Sequence, residues 1–212
     1  MKQILDWLAR KLDRIAIRGL MKYIVISMGA VFVLDIVFTG QLSSLLLFSK
    51  VAILSGQIWR LLTFIFLPPG ASLLFILFAL YFYYMIGEAL ESAWGTARFN
   101  LFYLVGIAST IVAGMITGYA TNQYLNLSLF FAFAILYPEV ELRLFMILPV
   151  KVKWLAWVNA AFFLYMLVIS SWPQRIALLI SLANIALFFW PDLYNRIHNW
   201  RRRRDWQSQF RR

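Results

Sequence analysis

The stretch SLLFILFALYFYYMIGEAL, residues 72–90, carries a single charged side chain, Glu88, close to its end. A bilayer core about 30 Å thick needs roughly 20 mostly apolar helical residues to cross it. Residues 72–90 therefore read as a membrane span. Working outward, Tyr23–Phe38, Ala97–Tyr119, Leu125–Tyr137, Val152–Ile169 and Ile176–Trp190 read the same way. Leu125–Tyr137 is short, and Leu125 must start almost at the lipid interface. The expected fold is all-α, a polytopic bundle of six transmembrane helices.

The composition agrees. Of 212 residues, 63% are hydrophobic and 14% charged, against about 45–50% and 25% in soluble domains. A water-soluble fold has nowhere to bury that much apolar surface. The net charge of +11 invites a nucleic-acid reading, but the cations crowd at the two ends and in short gaps between apolar runs. That arrangement suits anionic lipid headgroups instead. With six spans and both termini in the cytoplasm, 17 of the 20 cations lie inside, leaving Lys50, Arg60 and Arg175 outside. This bias points to a bacterial-type plasma membrane.

Three regions follow. Residues 1–20 place Ile4, Leu5, Leu8, Leu12 and Ile15 at helical spacing, with Lys2, Arg10, Lys11, Arg14 and Arg18 on other faces. This is the pattern of a basic amphipathic helix lying on the membrane surface. Residues 21–194 form the membrane domain, and residues 195–212 a basic cytoplasmic tail with Arg201 to Arg204 between Trp200 and Trp206. Gly40–Ile58 is apolar but broken by Gln41, Ser43, Ser44, Ser49, Lys50 and Ser55. It reads as an outer-leaflet element, with Trp59 at headgroup depth. No internal repeat of the kind many transporters show is evident.

The absence of cysteine and the single histidine, His198, exclude disulfides, thiolate chemistry and most metal sites. No cofactor and no metal are expected. Pro68-Pro69-Gly70 breaks the chain just before residue 72. Arg60 beside Trp59 can hydrogen-bond loop carbonyls. At the other membrane face Glu88, Glu91 and Arg98 share a short turn, where Gly95 supplies the tight backbone and Glu91 can pair with Arg98.

Two stretches carry a resemblance. Gly56-Gln57-Ile58-Trp59-Arg60-Leu61-Leu62-Thr63 is followed, one span later, by Gly87-Glu88-Ala89-Leu90-Glu91-Ser92-Ala93-Trp94-Gly95-Thr96-Ala97-Arg98-Phe99. Tyr137-Pro138-Glu139 is followed by Leu148-Pro149-Val150-Lys151-Val152-Lys153-Trp154. Over residues 56–190 this resembles the rhomboid superfamily, which holds intramembrane serine proteases and the non-proteolytic Derlins. The resemblance implies a six-span rhomboid-like bundle. Gly56, Gln57, Trp59, Arg60, Glu88, Glu91, Gly95, Arg98, Pro138 and Pro149 are then family-motif residues with structural roles.

A rhomboid protease also needs Gly-x-Ser-Gly at the outer start of span four and a histidine in span six, usually with His and Asn in span two. The last glycine here is Gly118, and His198 lies in the tail. Counting back from Pro138, the nucleophile position falls near Gln123. The expectation is a protein without enzyme activity that, like the family's non-proteolytic members, binds transmembrane segments of another membrane protein. Ser128, the only serine of span four, stands for the alternative of an unorthodox protease, against a plain helix-packing role. Asp35, the one carboxylate near the outer end of span one, has either an interfacial or packing role or a proton or substrate role. Asn184 can bond across to another helix. A small-molecule transporter is disfavoured, because intramembrane polar residues are sparse.

Overall fold

The computed structural model describes Trp7, Lys11 and residues 13–183, apart from 39, 71, 119, 145–147, 173, 177, 181 and 182. The elements are α1 (Leu20–Val37), α2 (Gln41–Leu46), α3 (Lys50–Leu54), α4 (Arg60–Thr63) running into a 3-10 turn (Phe64–Phe66), α5 (Leu73–Trp94), α6 (Thr96–Thr117), α7 (Gln123–Leu136), β1 (Glu141–Leu144), β2 (Leu148–Lys151) and α8 (Val152–Ile169). Four of them, α1, α5, α6 and α8, are long and apolar enough to cross a membrane, as an integral membrane protein requires. The shorter α7 is apolar and has 14 residues, about 21 Å at 1.5 Å per residue.

Local chemistry sets several boundaries. Leu67 is extended (φ −69°, ψ 125°), as expected before a proline, and Pro68-Pro69-Gly70 separates the 3-10 turn from α5. Gly95 divides α5 from α6 at φ 83°, ψ 156°, a backbone conformation open essentially to glycine alone.

Helices α1 and α5 pack antiparallel. Met21, Ile24 and Met28 form a buried stripe on α1, and α5 buries Ile76, Ala79, Leu80, Ile86, Gly87 and Leu90. The two backbones meet most closely at Gly87, where an added Cβ would lie 2.3 Å from Met21 Cβ. A side chain at residue 87 would push the helices apart. Helix α7 sits at the centre against α5, α6 and α8, burying Leu125, Leu129, Phe130, Ala132, Phe133 and Ala134. Phe48, between α2 and α3, meets the Phe64 ring edge-on at 5.9 Å and 89°. Its ring would lie 2.6 Å from a Cβ at Gly114 of α6, so it pins the α2–α3 segment to the bundle.

The structure departs from the sequence expectations in two places. The chain is mostly helical, but β1 and β2 form an antiparallel ladder with Glu141 opposite Lys151 and Leu144 opposite Leu148. It lies in the connection between α7 and α8, where Glu141-Leu142-Arg143-Leu144 and Val150-Lys151-Val152-Lys153 alternate polar and apolar residues with the period of a strand. The helix expected over residues 1–20 is not seen in its last part. Residues 13–19 are turn and irregular chain, and Leu20 opens the first span. The physical reason is that distant side chains capture the backbone there. Of the sixth expected span, Ile176–Trp190, the described residues 176, 178–180 and 183 are helical. The remainder, with residues 195–212, lies outside the described residues.

Candidate functional site

Polar side chains gather in three places. The first surrounds α2, at the end of the bundle where α1 finishes. A helix leaves its last carbonyls without intrahelical partners, and here residues 59–63 supply those partners. Arg60 Nη1 donates to the Ser44 and Leu47 carbonyls at 2.8 and 2.7 Å. Thr63 Oγ1 donates to Leu46 O at 3.1 Å and Trp59 Nε1 to Leu45 O at 3.4 Å. Arg60 Nε donates to Gln57 Oε1 at 2.6 Å, which fixes the guanidinium in place. Arg60 is only 8% exposed. Gly56 closes the turn after α3, its N–H on the Ile53 carbonyl.

The opposite end of α2 is held by Asp35. Its Oδ1 accepts from Ser43 N–H at 2.9 Å and its Oδ2 from Ser43 Oγ at 2.6 Å. A carboxylate at the helix start and a guanidinium at its end both have the sign that the backbone dipoles favour. Both Asp35 oxygens are thereby engaged in holding α2.

The second gathering lies at the Gly95 end. Both Glu91 carboxylate oxygens accept from Gly19 N–H at 3.0 Å, and Oε1 also accepts from Thr96 Oγ1 at 2.9 Å. Asn100 binds the backbone of Ile17 twice, accepting from its N–H at 3.1 Å and donating to its carbonyl at 3.0 Å. The amide also donates to Thr96 O at 2.8 Å. Glu91 and Asn100 together hold residues 17–19 beside the α5–α6 turn. Arg98 and Glu88 are exposed at this end, and Glu88 interacts with the Tyr84 hydroxyl one helical turn earlier.

The third gathering is inside the bundle. Ser128 is 1% exposed and its Oγ donates to the Leu125 carbonyl at 2.7 Å. Asn122 Nδ2 ties the start of α7 to the 3-10 turn, donating to Ile65 O at 3.0 Å and Leu67 O at 2.7 Å. Asn126 of α7 interacts with the Tyr83 hydroxyl of α5. Among the described residues, the buried Tyr103 hydroxyl and Asn126 Oδ1 have no hydrogen-bond partner.

Pro138 is exposed at the end of α7, and its carbonyl accepts from Lys153 N–H at 3.1 Å. Pro149 stands in β2 opposite Arg143. Beside them, exposed Glu139 accepts from Lys153 Nζ at 2.6 Å and Lys151 Nζ at 3.1 Å. These ammonium groups hold its carboxyl below the usual carboxylate range, Lys153 foremost. Asn184 lies outside the described residues.

The candidates thus occupy separate places. Asp35 joins Gln57, Trp59 and Arg60 around α2, Glu91 joins Gly95 at the opposite turn, and Ser128 is apart from both. Sequence reading overlooked Thr96, Asn100, Asn122, Asn126 and Tyr103. The available signal was a polar residue inside or beside an apolar run, but which ones face a helix neighbour is not a local property. Among the described residues no three His, Cys, Asp or Glu side chains converge as metal ligands would. No protein-family model, no curated protein and no solved structure matches the chain.

Proposed function

We propose that this chain is a six-span, rhomboid-like protein of a bacterial-type plasma membrane, with both termini cytoplasmic, that does no proteolysis and binds transmembrane segments of another membrane protein. The observation that carries the reading is the Ser128 hydroxyl. It is buried and its proton is spent on the Leu125 carbonyl at 2.7 Å, whereas a serine nucleophile needs a base within hydrogen-bond reach. Lys151 and Lys153 are engaged with Glu139. The sequence motifs around Trp59-Arg60 and Glu91 to Arg98 support the scaffold. The basic ends support contact with anionic headgroups.

Binding of a membrane segment is supported by the apolar faces. Helix α8 exposes Trp157, Val158, Phe162, Tyr165 and Val168, and α1 exposes Val33, Leu34, Ile36 and Val37. These faces suit lipid or another helix, and neither offers the array of polar groups that a solute pathway needs.

Two measurements on the full chain test the reading. A transmembrane reporter co-reconstituted with the wild-type protein stays uncut, and Ser128→Ala makes no difference. Co-purification from native membranes in mild detergent returns a membrane protein at near-stoichiometric level, with wild type and Ser128→Ala alike. Reporter cleavage abolished by Ser128→Ala would instead make the chain a protease. Solute uptake lost in Asp35→Ala, with the fold retained, would make it a transporter.

A further inference from the structure

A recess of about 310 Å³ opens at the Gly95 end, between the start of α1 and the last turns of α5. Arg18 and Lys22 line it from one side, Tyr84, Glu88 and Ser92 from the other, and Gly95 and Thr96 form part of its wall. Both signs of charge therefore share one hollow. Among the described residues no ion pair joins Arg18 or Lys22 to Glu88. Glu91, the other carboxylate in the wall, is already taken up by Gly19 N–H and Thr96. What remains open is a pair of cations and, across from them, a carboxylate whose recorded neighbour is the neutral Tyr84 hydroxyl.

The position of Glu88 narrows the ligand. It stands on a helix long enough to cross the membrane, six residues before the Trp94 end, or about 9 Å along the axis. It is exposed there, as is Tyr84 one turn deeper. A carboxylate near the end of a membrane span is stabilised when a cation neutralises it. The recess is walled by α5 itself, a helix long enough to span the membrane, so a lipid headgroup at that end of the helix is within its reach. Two cations and a carboxylate in one hollow suit a zwitterion, a phosphate linked to a short arm ending in an ammonium group.

We propose that this recess binds the headgroup of an aminophospholipid, its phosphate on Arg18 and Lys22 and its primary ammonium on Glu88. The ammonium has hydrogens to donate to the carboxylate, which a quaternary choline lacks and a glycerol headgroup replaces with neutral hydroxyls. Charge-assisted hydrogen bonds are the strong ones, so Glu88 sets selectivity while the two cations set overall retention. The inference does not depend on whether the protein cleaves or binds other proteins.

The test is lipid retention by the full-length protein, measured by native mass spectrometry after delipidation. Phosphatidylethanolamine, phosphatidylcholine and phosphatidylglycerol are added back at equal concentration. The wild type should retain one phosphatidylethanolamine about tenfold better than the other two, the ratio for one lost charge-assisted bond. Glu88→Gln should abolish that preference but keep phosphate-dependent binding. Arg18→Gln with Lys22→Gln should lower retention of all three lipids. Ser92→Phe fills the recess without altering charge and should also release the lipid, and circular dichroism checks that each variant is folded. Equal retention of the three lipids by the wild type, or a preference that survives Glu88→Gln, would overturn the proposal. So would binding of free phosphoethanolamine as tightly as the lipid, which would make the ligand a soluble one.

Discussion

Arg60→Leu is the substitution for which the structure supplies the most complete ledger. The guanidinium makes three short hydrogen bonds, to the carbonyls of Ser44 and Leu47 at 2.8 and 2.7 Å and to Gln57 Oε1 at 2.6 Å. Hydrogen bonds to charged groups contribute about 1.5–3 kcal/mol each. The sum overstates the loss, because removing a buried charge also removes its desolvation penalty. The two carbonyls left behind stand at the end of α2, one in its last turn and one at its cap, and need a partner. A net loss of about 2–4 kcal/mol follows. Arg60→Lys keeps the charge but offers a point donor in place of a planar fork, so it should lose about half as much. For a chain of this size each kcal/mol shifts Tm by about 2–4 °C. Thermal unfolding in detergent, followed by tryptophan emission, should therefore fall on the order of 10 °C for Arg60→Leu and by an intermediate amount for Arg60→Lys. Limited proteolysis should find new cleavage near residues 44–49. If leucine and lysine both melt within about 2 °C of wild type, the guanidinium is not what holds α2.

Three further outcomes are expected. Gly87→Val should lower Tm markedly, because its Cβ would lie 2.3 Å from Met21 Cβ and overpacking costs about 1–3 kcal/mol or more. Gly29→Ala is the contrasting control, since the nearest atom there, Leu80 Cδ1, lies at an ordinary 3.7 Å, and it should melt at or slightly above wild type. In Glu91→Gln one of the two oxygens on Gly19 N–H becomes an NH2 that finds no acceptor on that N–H, and the charge is lost, so hydrogen exchange should rise at the Ile17 and Gly19 amides while the centre of α5 stays protected. Glu139 has its carboxyl lowered by Lys153 and Lys151, so its contribution to stability is present above the ordinary carboxylate value and lost as pH falls through the lowered one. A Tm difference between wild type and Glu139→Gln should thus be small at pH 7, shrink with added salt and vanish on acidification. A difference that grows towards low pH would refute the pairing.

The apolar spans were legible because length and hydropathy are properties of a continuous stretch. A run such as residues 72–90 must bury its backbone polar groups in its own hydrogen bonds once it enters lipid, whatever surrounds it. The Pro68-Pro69-Gly70 break and the glycine turn at residue 95 are equally local, since they depend on backbone angles at one or two residues. The β1–β2 ladder was missed because four-residue alternations are too short to stand out beside long apolar runs.

Other features were decided only when distant parts of the chain met. Glu91 and Arg98 have the spacing of a pair, yet the Glu91 carboxylate is occupied by the backbone of Gly19, 72 residues earlier. Asn100 reaches back 83 residues to Ile17 and binds backbone that periodicity alone assigns to a helix running to residue 20. The reason is common to both. A helix end or an irregular segment exposes N–H and C=O groups that must find partners. Which side chain answers depends on the packing of α1 against α5, set in turn by the absence of a side chain at Gly87. By itself the sequence determined that this chain lives in a membrane and where most of its spans lie. Tertiary structure alone decided that Asp35 and Arg60 grip one short helix from its two ends, because their shared partner is a set of backbone groups that no side-chain pattern records.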